Sequence, residues 1–405
     1  MHQENLGQNV TNRWIPVIAG IVIQLCLGTV YIWGVFQPAV VKQFGWSQAT
    51  AALTFSIVLG VFVFGSTIGG MIQDKLSPKP VITGGGIILG VGVFLASFTT
   101  AALPWWLWLT YGVIGGFGMG TTYTTIIACC QKWFPDKRGL ITGMIVSALG
   151  FGGLVFTPIA RYLITNRGVL ETFIWFAVIF IVVCVVGAQF IKNPPAGYKP
   201  AGWNPPVAKA GTVSRNYSPS EMVRTPQFYM VTITLMLACS AGLMVIPFAK
   251  VLGVQGGLSD AVATSGVMII SLFNSFGRLF WGAISDKLGR KNTVLCLLLV
   301  AGVCMLFLAN AQMYMILVLI AVIAFAYGGY LGVFPALTAD FWGLRNMGMN
   351  YGLVLLGFGV AAVGSSYIAG YVKDLTGGFG AAFLVASIAS FAGAVLVFFL
   401  KPAKE

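Results

Sequence analysis

The sequence has a single histidine, His2, and only ten acidic residues, none of which stands in the middle of a long apolar run. The first scarcity removes a histidine proton relay and a histidine-ligated metal from the interior of the chain. The second removes the carboxylate that a buried acid–base pair or an intramembrane proton carrier requires. With neither a base nor a metal cage to activate a nucleophile, the chain is expected not to be an enzyme and to hold no cofactor. Cys26, Cys129, Cys130, Cys184, Cys239, Cys296 and Cys304 all lie within or beside apolar segments and show no CxxC spacing. They are therefore expected to act as small packing residues. Charged residues make up 8% of the chain against 58% hydrophobic, and the mean hydropathy is +0.90. That balance excludes both a soluble globular domain and a disordered chain. The net charge of +13 does not point to nucleic acid, because the basic residues sit in short loops between apolar runs, without interleaved aromatics.

What the sequence does hold is apolar runs of about 20 residues, the length that crosses a bilayer. They are read as twelve transmembrane helices near residues 14–38, 47–72, 80–99, 104–130, 138–164, 171–191, 227–250, 260–284, 292–310, 313–339, 348–372 and 379–400. The expected fold is an all-α polytopic membrane protein embedded in the lipid bilayer. Between the sixth and seventh runs, Lys192 to Arg224 is rich in proline and basic residues, as a linker is. This divides the chain into a first six-helix half, 1–191, a linker, 192–226, and a second half, 227–405. Most Lys and Arg fall at the termini, the linker and the even-numbered loops, which places both termini on the cytoplasmic side of the inner membrane. The first run, after Arg13, is as long as a full span and lacks an A-x-A exit, so it is expected to remain as the first helix.

One guanidinium interrupts the eighth run. Arg278 lies about two-thirds of the way along it, where an unpaired charge costs about 2.5 to 3.5 kcal/mol on insertion scales. Such a residue is expected to face a protein interior or a water-filled cavity. Asn274 precedes it by one helical turn on the same face, placed to hold the guanidinium, to donate to a substrate, or to bridge helices. Neutral donors of mid-membrane depth are Tyr31, Tyr123, Tyr327 and Tyr330, for which packing roles stand as alternatives. Phe358, Leu27 and Ile145 are candidates for an apolar wall beside a small alkyl group. Glycines in the fourth run (Gly115, Gly116, Gly118, Gly120) and the eleventh (Gly357, Gly359, Gly364) are expected to allow close helix approach.

A repeat ties the halves together. Gly70-Met-Ile-Gln-Asp74-Lys75 follows the second run, and Gly282-Ala-Ile-Ser-Asp286-Lys287 follows the eighth. In this register Ser66 corresponds to Arg278, so the second half carries a charge where the first carries a hydroxyl. Asp74, Lys75, Asp286, Lys287 and Arg290 are expected to bridge helices and hold that end shut.

The second copy, with Gly282, Asp286, Lys287, Gly289, Arg290 and Lys291, resembles the signature turn of the major facilitator superfamily; Ser77 and Pro78 depart from it in the first. Lys132-Trp133-Phe134-Pro135-Asp136-Lys137-Arg138-Gly139-Leu140 and the Asn274–Arg278 pair look like the branch of monocarboxylate transporters and the oxalate:formate antiporter. The resemblance implies two rocking halves, with Arg278 as the ligand of a substrate carboxylate. It also implies that Tyr31, Tyr123 and Tyr327 line the cavity. Where relatives carry an acid, a second cation and a lysine, this chain has Asn274, Phe358 and Val35. What remains is a one-cation site for a small monocarboxylate such as L-lactate or pyruvate, in a carrier working as a monomer. Proton symport is expected, with a proton on the substrate or on an end-lying acid such as Asp260 or Asp374. The alternative is exchange of one anion for another, because an unpaired Arg278 would resist reorientation.

Overall fold

The structure, a computed structural model, describes residues 12–195, 197–200, 216–376 and 378–401. Among these residues the chain forms twelve long helices: α1, Trp14–Phe44; α2, Gln48–Lys75; α3, Pro78–Ala96; α4, Pro104–Trp133; α5, Arg138–Arg167; and α6, Val169–Ala188. The second set is α7, Pro226–Val245, prolonged by Ala249–Gln255; α8, Asp260–Leu288; α9, Arg290–Leu308; α10, Tyr314–Trp342; α11, Met347–Thr376; and α12, Gly380–Phe399. Eleven contain stretches apolar and long enough to cross a membrane. The remaining one, α8, carries Arg278. Helices suit this solvent because each satisfies its own backbone groups where no water is present to do so.

Several helices stop at glycines in the left-handed region, where a side chain would be strained: Gly45, Gly168, Gly289 and Gly343 have φ of 68°, 82°, 84° and 81°. Helices α1–α6 pack among themselves, as do α7–α12, and the two groups meet mainly along α2–α11 and α5–α8. Close approach is what glycine permits here. A Cβ on Gly120 of α4 would overlap the Phe62 carbonyl of α2, and one on Gly357 of α11 the Thr232 carbonyl of α7. Around Gly115 and Gly364 there is more room.

Three departures from straight helices matter. α1 runs to Phe44 rather than ending near 38, and tightens into a 3₁₀ turn at Gly28–Ile32. There Gly28 lies directly against Leu149 and Gly152 of α5, and the turn carries Tyr31. α4 contains a π segment, Trp108–Gly115, and α7 breaks at Ile246–Phe248. The linker's ends are fastened to corresponding turns. Trp133 Nε1, ending α4, donates to the Lys192 carbonyl at 2.6 Å, and the Tyr217 N–H donates to the carbonyl of Trp342, ending α10, at 3.0 Å.

Candidate functional site

The site begins with how tightly α8 is held. Gly143 of α5 and Gly328 and Gly332 of α10 face its backbone; a Cβ on Gly143 would stand 2.6 Å from the Arg278 carbonyl oxygen. Ser147 of α5 adds a hydrogen bond to the Ser275 carbonyl at 3.0 Å. The Arg278 side chain leaves this seam fully buried, with 0% exposure. Three groups take its N–H bonds: Nε donates to Asn274 Oδ1 at 3.0 Å, Nη1 to the Val146 carbonyl at 2.9 Å and Nη2 to Tyr31 Oη at 2.9 Å. The guanidinium carbon also lies 5.8 Å from the Tyr31 ring centroid. Thus one acceptor comes from α8 itself and two from the first half.

None of the ion pairs among the described residues includes Arg278. All of its described partners are neutral. Tyr123 and Tyr327 are buried within electrostatic reach of the guanidinium. Tyr330 is placed differently: it is buried, and its hydroxyl has no hydrogen-bond partner among the described residues. Phe358, Leu27 and Ile145 are buried too. Of Arg278's two side-chain ligands, Tyr31 is 40% exposed and Asn274 6%. The phenol is thus the more accessible of the two. The acids Asp260 and Asp374 have side chains outside the described residues.

At the end bearing the basic turns, the two repeat copies do the same thing by different means. The Asp286 carboxylate accepts from the backbone N–H groups of Gly139 and Leu140, at 3.0 and 2.9 Å, at the start of α5. Asp74 accepts from those of Gly348 and Met349, at 3.3 and 2.9 Å, at the start of α11. Each aspartate thus supplies, from the opposite half, the acceptor and negative charge that a helix N-terminus favours. Both crossings are glycine on glycine, Gly139 against Gly282 and Gly70 against Gly348. Arg290 then binds Asp286, Ser285 and, at 3.1 Å, Asp340, which also takes Arg138 at 2.8 Å. Lys75 and Lys287 are exposed and enter no ion pair among the described residues. These bonds join the two halves at the basic end in this structure.

Sequence reasoning did not reach the Val146 carbonyl, Asp340 or Arg138. A backbone acceptor leaves no trace in side-chain identity.

The model of the Major Facilitator Superfamily matches residues 18–282 and 257–405. The chain belongs to that superfamily. It is 32% identical over 354 residues to the "Uncharacterized MFS-type transporter YhjX" of Escherichia coli (strain K12), covering 87% of this chain and 86% of that one. It is 27% identical over 412 residues to the oxalate:formate antiporter of Oxalobacter formigenes, covering 99% and 95%. To monocarboxylate transporter 12 of Xenopus laevis it is 26% identical over 406 residues, covering 92% and 85%. The fold is similar to that of the fucose:proton symporter FucP of E. coli, with a TM-score of 0.74 at 15% identity over 98% of this chain and 100% of that one. The superfamily member described here is thus a multi-pass membrane transporter with two pseudo-symmetric six-helix halves.

Proposed function

We propose that this chain carries a small monocarboxylate, such as L-lactate or pyruvate, across the cytoplasmic membrane by alternating access, together with a proton. In this reading the halves 1–191 and 227–405 rock about Arg278, the linker and the basic end face the cytoplasm, and one chain suffices. The observation that carries it is a fully buried guanidinium where the two halves meet, held by neutral ligands. A planar fork of N–H donors matches the two oxygens of one carboxylate, and the match strengthens as water leaves. Tyr123 and Tyr327 are the nearby hydroxyls for a second polar group on the substrate. Buried Phe358, where the resemblance implies a second cation, favours a monoanion over a dianion. The relatives named as monocarboxylate transporter and oxalate:formate antiporter support the same substrate class.

The test is uptake of labelled L-lactate into proteoliposomes. Accumulation driven by an inward proton gradient is the expected result. Uptake only into vesicles preloaded with unlabelled lactate would establish the rival exchange mode, for which the antiporter relative speaks. No uptake of lactate, pyruvate, acetate or formate under either regime overturns the substrate class.

A further inference from the structure

Resting on the reading above, we infer that Tyr31 is a stand-in ligand for Arg278, occupying the place of the substrate carboxylate so that the empty carrier can reorient. The chain then performs net transport and is not confined to exchange. A one-cation site looks committed to exchange when the charge must lose water each time it crosses unloaded. That dehydration is already complete here: Arg278 has no exposed surface and no anion beside it among the described residues. Its N–H groups are instead met by Asn274, the Val146 carbonyl and the Tyr31 hydroxyl. Closing the remaining side of the molecule adds no further desolvation of the guanidinium.

Of the three ligands, only the phenol is suited to yield. Asn274 is fixed to the same helix one turn away, and Val146 is backbone within α5. Tyr31 stands in the 3₁₀ turn of α1 and is 40% exposed. It accepts from Arg278 Nη2 in the empty state, and a phenol can equally donate. When a carboxylate arrives, one oxygen accepts the Nη2 hydrogen bond that Tyr31 gives up, and the freed hydroxyl donates to the same carboxylate. The bonding capacity of both groups is conserved in the exchange, so Arg278 keeps the same number of hydrogen bonds in the loaded and the empty carrier.

The experiment compares two fluxes in proteoliposomes of the full chain filled with labelled L-lactate at equal pH inside and out. Dilution into lactate-free buffer requires the empty carrier to return; dilution into saturating unlabelled lactate does not. Wild-type net efflux is expected within about tenfold of exchange, and Tyr31→Phe is expected to lower the ratio of net efflux to exchange by about tenfold or more, as loss of a hydrogen bond to a buried charge does. A wild type that exchanges without net efflux, or a Tyr31→Phe variant whose ratio is unchanged, overturns the inference. If neither flux appears, the substrate reading fails, and the inference is then decided without substrate. Spin labels at the α5 and α8 ends of the basic side should report two distance populations in substrate-free wild type, and one in Tyr31→Phe. A single population in wild type, or the same two in the variant, overturns it.

Discussion

The two halves carry one repeated turn, yet at matching positions their residues make different contacts. Ser66 of α2 is buried and donates to the Gly120 carbonyl at 3.2 Å, a bond within its own half. Arg278, its counterpart on α8, sends two of its three bonds into the other half. The same shift is seen at the basic end. Pro78 opens α3 where Arg290 opens α9, so Asp74 caps its target helix with Lys132 as the cation in electrostatic reach. Asp286 caps its own target and joins a chain of ion pairs through Arg290 to Asp340 and Arg138. Duplication preserved the backbone crossings, where glycine meets glycine and nothing larger fits. The buried guanidinium and the longer ion-pair chain belong to the second copy.

The largest test of that division is Arg278→Lys against Ser66→Ala. A lysine ammonium is a point charge and cannot face two carboxylate oxygens with parallel donors, nor reach Asn274, Val146 and Tyr31 together. Uptake should fall by about a hundredfold or more, the scale expected when a charge-assisted bidentate contact is lost. Membrane expression should persist, since the helix crossings are unaltered. Ser66→Ala removes one neutral bond and should leave uptake within about twofold. Normal transport by Arg278→Lys would falsify the site.

How much of this was legible follows from the range of each interaction. Apolar run length set twelve spans to within a few residues, because bilayer thickness acts on each segment separately. The prolongation of α1 to Phe44 and its 3₁₀ turn were not legible, since the turn answers to Gly152 and Leu149 of another helix. Arg278 announced itself by being costly, and Asn274 by its one-turn spacing. Tyr31 was named as a donor, and the structure makes it an acceptor from Arg278; only the assembled site shows which way the hydroxyl works. At the basic end the pattern exposed Asp74 and Asp286. That they hold backbone N–H groups at the starts of α11 and α5, with Lys75 and Lys287 left exposed, depends on contacts between distant stretches of chain.

Asn274→Asp sharpens the contrast from the other direction by giving the second half a carboxylate. Placed 3.0 Å from Arg278 Nε, where the amide oxygen now stands, it would compete with the substrate for the guanidinium. The KM for L-lactate should rise about tenfold near neutral pH, as an interaction made in the ground state is lost. Protonating the new acid frees Arg278, so uptake by the variant should increase more steeply than wild type as pH falls. A pH profile parallel to wild type would show that this position does not bear on coupling.

The smallest effects separate the two gates. Asp74→Ala removes an acceptor for two N–H groups at a helix start, and loss of such a cap typically costs about 1 kcal/mol. Opening at the basic end, read as maleimide labelling of Ser147→Cys in a Cys296→Ser background, should rise about fivefold. Asp286→Ala removes an equivalent cap and also releases Arg290. Asp340, on the far side of Arg290, is 38% exposed, so the ion-pair chain adds only about 0.5 kcal/mol. Labelling should then rise about tenfold, less the part that salt screens away. Repeating both measurements at high salt divides the two contributions: the excess of Asp286→Ala over Asp74→Ala should shrink, while the common rise from the lost caps should persist. Equal rises at every salt concentration would mean that Arg290, for all its partners, adds nothing to closure, and that the second gate is no stronger than the first.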